Sequence, residues 1–405
     1  MFNSLSLKVI LFGFIFTFFS SFGQSFFLGL FNSSIRDALS ITHGQFGTIY
    51  ASATLLSSLV IIWVGKKIDD IDVFKFGTFV TLLLSFSCYF FSKVSSVTFL
   101  FIAIFLMRFS GQGLMSHTAT TTISRYFTKS RGKALSTGWF GLSTAEFILP
   151  VFMIYLLTFL EWRNIWINIS FVILFLPIIS YLLIKKIKLD SREIDKNKDK
   201  KNIKIKNWKR IEVIKDYRFY IVCANMLAMP WIATGIFVYQ SFILSSKNWG
   251  PYVIAQSFMA YSILSVITLF IAGFLIDKFS SRKLLIYMNL PFLLSLFLII
   301  VFDNPIVSFL FLGLIGISNG LANVLGSSTW AEVYGVRHIG SIKALTTALM
   351  VFSTAFGTAV FGLLIDKGFS IEQISMISGT YIFLALIALF FVRNKLNPIK
   401  ILKKT

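Results

Sequence analysis

Apolar residues along this chain come in long runs of about twenty, set apart by short polar breaks. A helix rises about 1.5 Å per residue, so a run of roughly 20 mostly apolar residues crosses the hydrocarbon of a bilayer. The pattern predicts twelve spans, at residues 8–31, 46–64, 73–92, 96–116, 135–158, 164–184, 217–244, 251–275, 284–302, 305–328, 341–364 and 374–392. Each is predicted helical, because lipid-exposed backbone cannot leave its polar groups unpaired in hydrocarbon.

The spans divide into two sets of six. Gly65 and Asp69 recur as Gly273 and Asp277, and Gln112-Gly113 aligns with Asn319-Gly320 at nearly the same offset. Tyr126-Phe127 aligns with Val333-Tyr334, and Ala134-Leu135 with Ala344-Leu345 after a short slip. The expected fold class is an all-α polytopic membrane protein with twelve transmembrane helices in two pseudo-symmetric six-helix bundles. Residues 1–184 form the first bundle, 185–216 a basic linker, 217–392 the second bundle and 393–405 a basic tail. The linker lacks apolar periodicity and reads as a solvated tether, with an amphipathic surface helix near Ile203–Ile214 as the alternative.

Composition agrees: 56% of residues are apolar and 47 are Phe, more apolar surface than a water-soluble domain needs. A net charge of +21 would suit nucleic-acid binding, but its distribution points elsewhere. When the loops are assigned to alternate sides, Arg36, Lys93, Arg163, Lys247 and Lys367 fall on one side, and nearly all other Lys and Arg on the opposite side. That bias is a topology signal, which puts both termini in the cytoplasm and the chain in the cytoplasmic (inner) membrane, with lipid rather than nucleic acid as its partner. The first span has only Lys8 as a basic flank and no clear small-residue cleavage site, so it is expected to be retained. Cys88 and Cys223 lie in spans and form neither a disulfide framework nor a metal spacing. No phosphate-binding loop or metal-ligand cluster is visible, so no cofactor and no metal are expected.

Arg108 and Glu146 are the charged residues deep inside predicted spans. A charge at the bilayer centre costs at least about 2.5–3.5 kcal/mol, so such groups usually serve function. Arg108 lies roughly 18 Å into the fourth span and Glu146 roughly 16 Å into the fifth, both near mid-membrane. Pro150 removes the helical partner of the carbonyl four residues earlier, which is that of Glu146. Three readings stand. Arg108 binds an anionic substrate group while Glu146 carries the coupling proton; or the two form a fixed ion pair; or Arg108 bonds helix carbonyls while Glu146 binds a cation. One repeat after Arg108 stands Ile315, so the halves are chemically unequal.

Gln24, Gln112, Asn225, Gln256, Asn319 and Asn323 also lie at span depth, and Trp231 follows Pro230 in a span long enough to kink. Of these, Gln112, Asn225, Trp231, Asn319 and Asn323 join Arg108 as candidate substrate contacts, although membrane helices also use Asn and Gln to bond one another.

Several motifs resemble those of the major facilitator superfamily of transporters. Its cytoplasmic signature loop is matched by Gly273-Phe274-Leu275-Ile276-Asp277-Lys278 followed by Arg282-Lys283, and more loosely by Gly65-Lys66-Lys67-Ile68-Asp69-Asp70. Arg108, Gly111 and Gly113 meet a fourth-helix pattern. Ser124-Arg125-Tyr126-Phe127 to Arg131-Gly132-Lys133-Ala134, and then Glu161-Trp162-Arg163, are similar to the monocarboxylate-transporter-like branch. The eighth span lacks the Asp/Arg pair that animal carriers of that branch hold. The resemblance implies a latch of Gly65, Asp69, Arg131, Gly273, Asp277, Lys278 and Arg282, in which glycines permit close helix approach and the Asp side chains accept from a neighbouring helix N-terminus. It further implies a non-enzymatic secondary transporter, active as a monomer, that binds a small-molecule substrate between its halves. The leading expectation is a symporter moving a small organic anion, a carboxylate foremost, with a proton or sodium ion. The alternative is a proton-antiporting exporter of amphipathic compounds. A membrane-embedded transferase would need a convergent catalytic set and larger loops than these.

Overall fold

A computed structural model describes residues 4–127, 131–185, 206–335 and 338–398. Twelve helices in it are long and apolar enough to cross a membrane. In the first bundle they are α1 (Ser4–Gly29), α2 (His43–Lys66), α3 (Val73–Ser92), α4 (Val97–Tyr126), α5 (Ala134–Leu156) and α6 (Trp162–Ile184). In the second they are α7 (Tyr217–Val238), α8 (Tyr252–Ile276), α9 (Ser281–Val301), α10 (Val307–Tyr334), α11 (Leu345–Asp366) and α12 (Ile371–Lys395). The described residues contain no strand.

Three helices depart from their predicted ends by more than four residues, among them α10, which runs to Tyr334 and not 328. α4 runs ten residues past the expected stop at residue 116, because Thr118, Thr120 and Thr122 each bond the carbonyl four residues earlier and so satisfy their own hydroxyls. α7 stops at Val238 instead of 244, and a separate short helix follows from Gln240 to Ser246. Three spans are irregular. α1 breaks at the tight turn Ser21–Gly23 and an extended Gln24, α4 widens into a π-helical segment at Arg108–Met115, and α7 does so at Met229–Ala233 around Pro230. Irregular backbone at membrane depth is tolerated where protein or a cavity surrounds it.

Small residues let the helices of each bundle close up. A Cβ on Gly141 would lie 2.0 Å from the Phe14 carbonyl, joining α1 to α5, and one on Gly316 would lie 2.3 Å from that of Tyr261, joining α8 to α10. The bundles meet along α2–α11, α5–α8 and α1–α7.

Cross-bundle hydrogen bonds gather on the face away from the chain termini. Asn32 donates to the Val238 carbonyl at 2.8 Å, Gln240 to that of Phe26 at 2.9 Å, and the Tyr239 hydroxyl to that of His43 at 2.9 Å. Lys247 anchors the same face. Its side chain is 1% exposed and reaches Asp303 at 2.6 Å and Glu372 at 2.7 Å. Burial pulls the amine pKa down, but these two partners outweigh it and hold it above the ordinary lysine range.

Part of the segment expected as a tether is docked. The Trp208 amide donates to the Tyr334 carbonyl at 3.0 Å, and Val213, on the short helix Arg210–Ile214, is fully buried in the second bundle. Its apolar residues are hidden in sequence by the surrounding lysines. Residues 186–205 and 399–405 lie outside the described residues.

Candidate functional site

A cavity of about 400 Å³ lies in the second bundle, between α7, α8, α9, α10 and α11. Its apolar wall includes Met226, Met288, Met350 and Phe237; Asn319, Asn323 and Thr346 supply amides and a hydroxyl. Tyr261 also lines it, as does Lys343, its one cationic wall residue, near the termini-side start of α11.

Glu146 sits on α5 at its seam with α8. The Ser262 hydroxyl donates to the Ser143 carbonyl at 2.6 Å, which fastens the two helices one turn away from the carboxyl. Glu146 is partly exposed and makes no hydrogen bond or ion pair with the described residues. Pro150 is buried inside the same helix, so the Glu146 carbonyl also lacks its usual donor. An unpaired carboxyl at this depth is costly to keep charged, and the chain neighbour of Ser262, Tyr261, lines the cavity.

Arg108 is elsewhere. It is 2% exposed, and its Nη1 donates to the Gly23 carbonyl at 3.0 Å and to Ser25 Oγ at 3.2 Å. Its guanidinium also lies 5.3 Å from the centre of the Tyr50 ring, and the Tyr50 hydroxyl donates to the same Ser25 oxygen at 3.0 Å. The break in α1 offers the carbonyl, and glycines bring it within reach. A Cβ on Gly23 would meet the Met107 carbonyl at 2.3 Å, and one on Gly111 would meet the Gly23 amide at 2.8 Å. Arg108 thus ties α4 to the broken α1, does not line the cavity, and is not ion-paired with Glu146.

The other sequence candidates separate in the same way. Asn319 and Asn323 line the cavity, with Asn319 Nδ2 donating to Ser265 Oγ at 3.0 Å. Asn225 does not. It is fully buried, donates to the Leu285 carbonyl at 3.2 Å, and accepts from Asn289 Nδ2 at 3.1 Å, so its amide is spent joining α7 to α9. Asn225→Leu should therefore cost about 1–3 kcal/mol of stability, measured by thermal unfolding, while the substrate KM stays unchanged: the Leu285 carbonyl loses its donor and Asn289 keeps only its bond to the residue 225 carbonyl. Trp231 is also off the wall, packed edge-on against Phe356 and Tyr381. Gln112 is partly exposed on the π-helical segment of α4, away from the cavity.

Neither latch glycine makes a close helix contact. Nothing would lie within 4 Å of a Cβ on Gly273, and a Cβ on Gly65 would meet only His117, at 3.5 Å, and Ile61. The bonds that shut the far face have no counterpart pressing on these glycines, so their small size goes unused in this conformation. The Gly65 carbonyl instead pairs with His117 Nε2 at 3.0 Å. Arg282 pairs with Glu332 at 3.0 Å, and Glu332 also accepts from the Ser281 amide at 2.9 Å, which caps α9 within its own bundle. Lys278 is exposed and lies 5.2 Å from the Phe279 ring centre. The side chains of Asp69, Asp277 and Arg131 lie outside the described residues.

Tyr261, Lys343 and the Gly23–Ser25–Tyr50 cradle were missed from sequence. Gly23-Gln24-Ser25, a polar break inside an apolar run, was the one available signal.

The sequence matches the Major Facilitator Superfamily over residues 13–255 and again over 220–404. No curated protein is significantly similar to it in sequence. Among solved structures, it is similar to a bacterial homolog of the human lysosomal transporter Spinster in an inward-facing, unoccupied conformation, with TM-score 0.73 and 12% identity over 98% of each chain. It is also similar to the nucleoside transporter NupG, with TM-score 0.71 and 14% identity over 96% of this chain and 99% of that one. At these identities the likeness is one of fold.

Proposed function

Because the chain belongs to the Major Facilitator Superfamily, we propose that it is a secondary active transporter that exchanges protons at Glu146 for a small amphipathic cargo, neutral or cationic, by alternating access. One observation carries this assignment: a carboxyl without a protein partner among the described residues stands at the seam of the bundles, one helical turn from the Ser262–Ser143 bond that joins them. Such a group is free to take a proton on one side and release it on the other as the bundles rock. The cavity chemistry supports the cargo class. Four methionines, Met229 among them, and a phenylalanine suit an apolar body, and two asparagines suit a polar end.

A carboxylate symporter draws less support. It would need Arg108 to abandon the Gly23 carbonyl and Ser25, leaving Lys343 as the cation already on the wall. The loop likeness to monocarboxylate carriers does not supply a substrate-binding cation. The basic loops make the termini face cytoplasmic in this scheme, and the cavity is then loaded from the cytoplasm.

The test is transport in proteoliposomes with labelled amines, neutral amphiphiles and organic acids, with and without a pH gradient. Gradient-dependent movement of amines or neutral amphiphiles is expected, with organic acids left behind. Gradient-driven accumulation of an organic acid that vanishes in Arg108→Gln would restore the anion scheme and overturn this one.

A further inference from the structure

We propose that Asp366 is an outer latch of the transport cycle: from the end of α11 in the second bundle, its carboxylate caps the N-terminus of α2 in the first bundle while the face away from the termini is shut. One oxygen, Oδ2, accepts both the Thr42 hydroxyl at 2.6 Å and the Gly44 amide at 2.8 Å. The first turn of a helix has amide hydrogens with no partner inside the helix. Here Thr42 and Gln45 cap each other, with Gln45 N donating to Thr42 Oγ1 at 3.2 Å, so the Gly44 amide takes its acceptor from the opposite bundle. A Cβ on Gly44 would stand 2.6 Å from that oxygen, which is why the approach requires glycine. A negative charge is also favoured at this end of a 24-residue helix. Around the contact the backbones are pressed together. A Cβ on Gly362 would meet the His43 carbonyl at 2.4 Å, and one on Gly47 would meet that of Thr358 at 2.3 Å. Any separation of α2 from α11 at this face breaks the cap.

α2 and α11 run antiparallel, and each ends in an aspartate region. Asp69 closes the turn after α2 at the termini face, where the helix that continues into α11 begins at Ile339, and Asp366 closes α11 at the far face, where α2 begins. The family resemblance implies a latch role for Asp69 at that face, and its side chain lies outside the described residues. With Asp366 seated only while this face is shut, the cap acts as a switch that favours one of the two conformations.

The switch rests on rocking of the two bundles but not on Glu146 or on the cargo, so it is tested without transport. In a Cys88→Ser, Cys223→Ser background in nanodiscs, Asn323→Cys reports opening of the cavity and Thr358→Cys opening of the far seam, through reaction with a soluble maleimide. Asp366→Ala should slow labelling at 323 and speed it at 358, shifting their ratio about tenfold. Asp366→Asn should shift it less, in the same direction, and a Glu146→Gln background should give the same shift. An unchanged ratio would overturn the latch. So would a rise at both positions, which would mean simple loosening.

Discussion

Glu146→Gln should abolish accumulation driven by a pH gradient while leaving cargo-for-cargo exchange within about a factor of two to three of the wild type. Glutamine preserves the shape and most of the hydrogen bonding of a protonated glutamate, but it neither takes up nor releases a proton. Cargo-for-cargo exchange cycles only the loaded carrier and requires no proton to move. Net coupled flux needs the proton to move. One coupled proton makes each pH unit of gradient worth a factor of ten in cargo ratio, and 100 mV of potential adds about 2.3 kcal/mol per charge moved. Removing the carrier should collapse that ratio to one. Because Glu146 has no ion-pair partner among the described residues, its neutralisation strands no buried opposite charge, and the fold should melt within about 1 kcal/mol of the wild type. Paired measurements of counterflow and gradient-driven flux in one proteoliposome preparation separate the outcomes. Undiminished accumulation would remove Glu146 from coupling, and loss of both activities with a lower melting temperature would make it structural.

The extent to which the sequence was legible follows the physics. The bilayer imposes one rule on every span, so length and apolar content located all twelve helices, and α4 ran long only because its threonines satisfy themselves. The same rule marks Arg108 and Glu146 as unusual but does not say which way they point. Arg108 found its acceptors through a break in α1 and a glycine-to-glycine contact with α4, tertiary features with no periodic signature. Asn225 and Asn319 are the same residue type at similar depth, yet one is consumed by Asn289 and the other faces the cavity. A hydrogen-bond partner on another helix decides between them, and one sequence does not reveal it. Gly65 and Gly273 in the signature loops suggest close packing, but whether a glycine is packed depends on which face is shut.

That dependence on conformation yields the second large effect. Gly29→Ala and Gly47→Ala should each cut net transport by about tenfold or more without lowering the melting temperature, whereas Gly141→Ala should lower both. All three glycines face backbone at distances no Cβ tolerates: a Cβ on Gly29 would meet the Phe237 carbonyl at 2.0 Å, one on Gly47 that of Thr358 at 2.3 Å and one on Gly141 that of Phe14 at 2.0 Å. The difference is where the opposing strand of backbone belongs. Phe14 is in the same bundle as Gly141, so an added methyl group strains every conformation, at a typical overpacking cost of about 1–3 kcal/mol. Phe237 and Thr358 belong to the other bundle. There the methyl groups clash only when the far face is closed, and opening that face relieves them. A penalty of about 1–3 kcal/mol on one of two states shifts their ratio by about five- to 150-fold, so the carrier stays folded but rarely completes its cycle. Soluble maleimide should then reach a Thr358→Cys reporter faster in the Gly29→Ala background. If Gly29→Ala instead melts early, as Gly141→Ala should, the far seam is a permanent core contact rather than a gate, and the bundles do not part there.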